Sequence, residues 1–181
     1  MRCTTLLTLA FAVVLPGTLP GQGPDPSAAR AAIERLSPMV GRWRGEAWMA
    51  REGGQRVQTA MTETVERKLG GTVLLIEGRG QVPAEAGGEP RVVHHALAIL
   101  SFDARTGAYQ MRSHLASGLS GDFAVTLVEG GVSWSREVPG GTVRNTARFT
   151  ADEWHEIGEF SRDGTTWSQV MEIRLRREAA P

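Results

Sequence analysis

The chain has one cysteine in 181 residues, Cys3, and it precedes the only long apolar run. A lipoprotein cysteine would follow that run. Everything downstream therefore lacks disulfides, thiolate metal sites, iron–sulfur clusters and cysteine nucleophiles. Excess charge is also missing: 20 basic residues balance 20 acidic ones for a net charge of 0. With no basic stripe, nucleic acid is not an expected partner. Enzyme signatures are absent too, with no G-x-S-x-G, H-E-x-x-H or P-loop. No repeat occurs at solenoid periods. The apolar run, 6–15, falls short of the roughly 20 residues of a membrane-crossing helix.

What is present begins with an address. Met1-Arg2 precedes the uncharged run 6–15, and Pro16, Gly17, Pro20 and Gly21 follow it. This predicts a secretory signal peptide over 1–22, cleaved near Gly21 or Gly23. A lone Arg2 does not make a twin-arginine signal. Its removal takes the net charge from 0 to −1. The mature protein is then expected to be secreted or periplasmic, with no transmembrane segment. Nothing in the sequence sets an oligomeric state.

Residues 23–36 read as a Gly/Pro linker and a short helix. Ser27 is the expected N-cap, with Ala29, Ala32, Ile33 and Leu36 on one face and Pro38 as the stop. Residues 37–178 then form one domain of alternating runs: 40–49, 57–69, 72–82, 92–102, 109–115, 123–129, 132–138, 142–150, 154–160 and 167–176. Gly70-Gly71, Gly130-Gly131 and Pro139-Gly140-Gly141 supply tight hairpin turns. Short links make consecutive strands neighbours. The fold class expected is all-β: an antiparallel up-and-down barrel of ~10 strands with one short N-terminal helix. Such a barrel either fills its interior or holds one small ligand.

The stretch "MVGRWRGEA", placed after a short helix, resembles the G-x-W signature of calycins. This superfamily includes the lipocalin, fatty-acid-binding and nitrobindin-like barrels. The number of runs resembles the fatty-acid-binding and nitrobindin-like members more than the eight-stranded lipocalins. "LGGTVLLIEGRG", "LSFDARTGAYQMRS" and "FSRDGTTWSQVMEIRLRR" are together similar to an uncharacterised family of exported bacterial calycin-like proteins. The resemblance covers about 36–177, in strand order rather than identity. It implies a basic side chain near the C-terminus packed over Trp43, which Arg174, Arg176 or Arg177 would supply.

The last four runs give the sharpest site expectation. Alternation puts Trp134 and Arg136, then Asn145, then Trp154 and Glu156, then Trp167 and Gln169 on one face, among Val132, Ala147, Phe149, Ile173 and Leu175. That face is the inner one. A purely apolar core would not carry Arg136, Asn145, Glu156 and Gln169 on four successive strands. Three explanations stand side by side. Arg136 and Glu156 pair inside a structural network; or the four line a pocket framed by tryptophans; or they reach solvent at the rim.

The candidate ligand-binding residues are thus Trp134, Arg136, Asn145, Trp154, Glu156 and Gln169, with no catalytic residue assigned. His94 and His95 are adjacent in a strand and point to opposite faces, so they cannot chelate one metal together. No inner histidine stands out as a haem ligand. No metal and no cofactor are assigned. The function favoured is an exported small-molecule-binding barrel, its ligand anionic or amphipathic and contacted by Arg136. The alternatives are a cyclase- or isomerase-type enzyme using an Arg136/Glu156 pair, and a filled barrel with no ligand.

Overall fold

The computed structural model describes residues 25–84 and 88–179, and the expected signal segment lies outside them. A helix, α1 (Ser27–Glu34), leads through a short 3₁₀ turn (Ser37–Met39) into ten strands. These are β1 (Gly41–Ala50), β2 (Arg56–Lys68), β3 (Val73–Val82), β4 (Arg91–Asp103) and β5 (Ala108–Leu115). They continue as β6 (Ser120–Val128), β7 (Gly131–Val138), β8 (Gly141–Phe149), β9 (Glu153–Ser161) and β10 (Ser168–Arg177). Each strand pairs antiparallel with the next, and β10 returns to β1 to close the barrel. Closure leaves no unpaired sheet edge. The turns have their expected chemistry: Gly130 and Gly140 take φ of 68° and 85°, which a side chain would resist. Among the described residues no helix is long and apolar enough to cross a membrane.

The helix closes one end. Ala32, Ile33 and Leu36 are buried against the barrel. The Tyr109 hydroxyl donates to the Ala32 carbonyl at 2.9 Å, and Arg30 donates to the Gly70 carbonyl at 3.0 Å. Two details differ from the sequence expectation. Ser27 is the first helical residue rather than the cap, and the Asp25 carboxylate accepts from both its N–H and its hydroxyl. Pro38 sits inside the 3₁₀ turn, the helix having ended at Glu34.

Trp43 forms the floor above this lid. It is fully buried, and its indole N–H donates to the Met39 carbonyl at 2.9 Å. Trp154 meets it edge-on at 5.9 Å, and Phe149 meets Trp154 at 4.7 Å. The basic residue packed over Trp43 is Arg177, its guanidinium 4.0 Å from the ring. Arg177 also donates to the carbonyls of Pro38, Val40 and Ala151, joining the C-terminal strand to the chain's entry into β1.

A bulge in β10 changes the inner-face assignment. Gln169 pairs with Glu159 and Met171 with Gly158, so Val170 is an extra residue. The alternation flips there. Met171, Ile173 and Leu175 face inward as expected, but Trp167 and Gln169 do not. Trp167 lies under the Arg144 guanidinium at 4.0 Å, and Arg144 pairs with Glu159 on the outer face. Gln169 is exposed, and its amide donates to the Met171 carbonyl at 3.4 Å.

Candidate functional site

Above the tryptophan floor the barrel is hollow. The cavity holds about 610 Å³ and opens at the end away from α1. It therefore exceeds the roughly 300 Å³ at which ligand pockets begin. The barrel is not filled solid.

Alternation builds its wall. Met61 on β2, Ile76 on β3, Ala98 and Leu100 on β4, and Met111 on β5 all point into it. Every methionine of the described residues lines the cavity: Met39, Met49, Met61, Met111 and Met171. Unbranched thioether chains make an apolar wall that adapts its shape.

Five of the six candidate residues line this cavity: Trp134, Arg136, Asn145, Trp154 and Glu156. Gln169 does not, because the β10 bulge turns it outward. The five sit at different heights. Trp154 and Glu156 are buried at the floor, Trp134 and Asn145 are half-buried, and Arg136 is exposed near the open end of β7. Arg136 and Glu156 form no ion pair. Alternation gives the face of a residue but not its height, so the rim position of Arg136 was hidden.

The group that the sequence reading missed is Glu63, on β2. It is 8% exposed and Glu156 is 6% exposed. Both carboxyls line the cavity. Glu63 has no hydrogen-bond donor among the described residues, and neither of its oxygens is sealed from the cavity. Glu156 accepts one long bond, from the Trp154 indole N–H at 3.4 Å. Space for Glu63 comes from Gly78, its partner across the β2–β3 ladder: a Cβ at 78 would lie 2.4 Å from the Glu63 Oε1. Gly158 makes similar room for Asn145, whose Oδ1 would be 3.0 Å from a Cβ there.

Burial fixes the chemistry of the two carboxyls. Loss of hydration pushes Glu63 up to about 8, helped by the charge of Glu156 and then by that of Glu77. Loss of hydration also pushes Glu156 up to about 7, against the pull of the Trp154 N–H. At neutral pH the pair shares protons rather than carrying two full charges.

The histidines lie on opposite faces, as adjacency demands. His95 is outside with Glu77 at 2.8 Å, while His94 lines the cavity. Burial lowers the His94 pKa, with His95 adding to it, which favours the neutral ring. Among the described residues no group of three or more His, Cys, Asp or Glu could hold a metal ion.

The sequence carried a signal for Glu63 and His94. Glu63 stands between Met61 and Val65 at period two, and His94 stands in line with Ala96, Ala98 and Leu100. Each is a polar residue flanked on its own face by apolar ones.

No protein-family model matches the chain, and no curated protein matches it significantly. Solved structures do match by shape. The crystal structure of Rv2717c from M. tuberculosis superposes with a TM-score of 0.58 at 16% identity, covering 82% of this chain and 98% of that one. The S-type phycobiliprotein lyase CPES from Guillardia theta superposes with a TM-score of 0.57 at 10% identity, covering 88% and 100%. At such identities the likeness is one of fold.

Proposed function

We propose that this chain is an exported small-molecule-binding barrel of calycin type, taking an amphipathic ligand into its interior. One observation carries the reading: a cavity of about 610 Å³, apolar and methionine-rich in its wall, with a few inward polar groups. Ligand sites have that composition, an apolar body with sparse polar groups that set orientation. The same fold serving a phycobiliprotein lyase supports it. Trp134, Asn145, Trp154 and Glu156 would contact the ligand within, and Arg136 at the mouth. Export rests on the leader pattern of 1–22.

Native mass spectrometry of the protein from its own cells tests the reading. The expected result is one small molecule per chain, released on denaturation. A chain that flies at its bare mass, even under the gentlest conditions, speaks against it. N-terminal sequencing of the exported protein tests the leader: the expected first residue lies near position 22, and a chain still starting at Met1 refutes cleavage.

A further inference from the structure

The cavity floor carries an unusual polar pair. Glu63 and Glu156 are each more than nine-tenths buried, on strands separated by β1 and β10, and both open into the cavity. Among the described residues neither has a cationic partner. Of the described residues lining the cavity, the guanidinium of Arg136 is exposed at the mouth and the imidazole of His94 is held toward the neutral form. A buried carboxyl without a partner destabilises a fold, and a pair more so. Yet the chain makes room for one of them: Gly78 leaves open the volume that the Glu63 carboxyl enters.

We infer that Glu63 and Glu156 form the head-group site of the cavity, and that its ligand is an apolar molecule ending in a protonated amine. This rests on the cavity being a ligand site, and adds the ligand's chemical class. An ammonium brings three donors to the carboxyl oxygens and no acceptor. The carboxyl pair offers Glu63 oxygens that no donor among the described residues uses. At neutral pH the pair retains about one proton, so a single positive charge brings the floor close to neutrality. The ligand's hydrocarbon body then lies along Met61, Ile76, Ala98, Leu100 and Met111. A carboxylate head at this floor would meet the pair's remaining negative charge and is disfavoured.

Three fluorescent probes of one shape test this: 9-(aminomethyl)anthracene, 9-anthracenemethanol and 9-anthracenecarboxylate, cationic, neutral and anionic at pH 7.5. Each is titrated by fluorescence into the wild-type protein and into the double variant Glu63→Gln, Glu156→Gln, whose fold is checked by thermal melting. The amine is expected to bind about ten- to a hundredfold tighter than the alcohol, the worth of a charge-assisted hydrogen bond. The carboxylate is expected to bind weakest. In the double variant the amine should bind no better than the alcohol. If the alcohol binds and the amine does no better in wild type, the amine assignment falls while the ligand site stands. The assignment also falls if the amine's advantage survives in the folded double variant. If none of the three binds, both fall.

Discussion

Glu63 and Gly78 face each other across the β2–β3 ladder, and the Glu63 carboxyl fills the space that a side chain at 78 would take. The glycine is thus part of the site rather than of a turn. Gly78→Ala is expected to displace the carboxyl and cost about 1–3 kcal/mol, as overpacking does. In a Glu63→Ala background the same change should cost little. Denaturant unfolding of the two single variants and the double measures this coupling. Additive effects would mean that the two residues do not compete for the space.

The carboxyl pair also sets a pH dependence. Both groups hold their protons in the fold to about 8 and 7, whereas an unfolded glutamate titrates at 4.5. Between those limits the folded state binds more protons, so the unfolding free energy falls as pH rises. Their cost to the fold is least below pH 4.5, grows as pH rises from there, and is complete once pH has passed through about 7 to 8. Unfolding measured from pH 4 to 9 should therefore show wild type losing stability relative to Glu63→Gln, Glu156→Gln. Parallel curves would contradict the assigned burial.

At the closed end, Trp43→Ala should cost about 3–5 kcal/mol, the range for large core truncations. Arg177→Met leaves hydrophobic cover over the ring but removes the donors to Pro38, Val40 and Ala151. A loss of about 1.5–3 kcal/mol is expected, the worth of a hydrogen bond from a charged group. A thermal melt that the Arg177 variant leaves unmoved would mean that the C-terminal clamp adds nothing.

Arg136→Met should change stability by no more than about 0.5 kcal/mol, as at other exposed sites. A buried Arg136/Glu156 pair would instead cost about 3–5 kcal/mol when broken. Equilibrium unfolding separates the two outcomes cleanly.

The strand pattern was legible because turn glycines and period-two alternation carry it locally. Each of the ten expected runs overlaps a strand, and Trp43 with its covering arginine lies where the resemblance implied. The site was legible only in part. Trp134, Asn145, Trp154 and Glu156 lie inward because β7 to β9 keep strict alternation. Gln169 was misplaced because a single extra residue, Val170, reverses the faces of everything before it in β10. Bulges leave no reliable local mark. Glu63 lay in a run whose faces were not resolved, although Met61 and Val65 flank it. The cavity itself depends on how side chains from all ten strands fill a closed cylinder, which no single run encodes.

If the barrel interior takes the body of an amphipathic ligand, it also takes a neutral apolar probe, and a titration shows this. N-phenyl-1-naphthylamine is uncharged at neutral pH and fluoresces strongly only in apolar surroundings. Saturable binding of one molecule per wild-type chain is expected. That binding should be lost in Ala98→Phe, which projects a ring into the cavity from β4. No saturable binding to wild type, or equal binding to a folded Ala98→Phe variant, would contradict that reading of the interior.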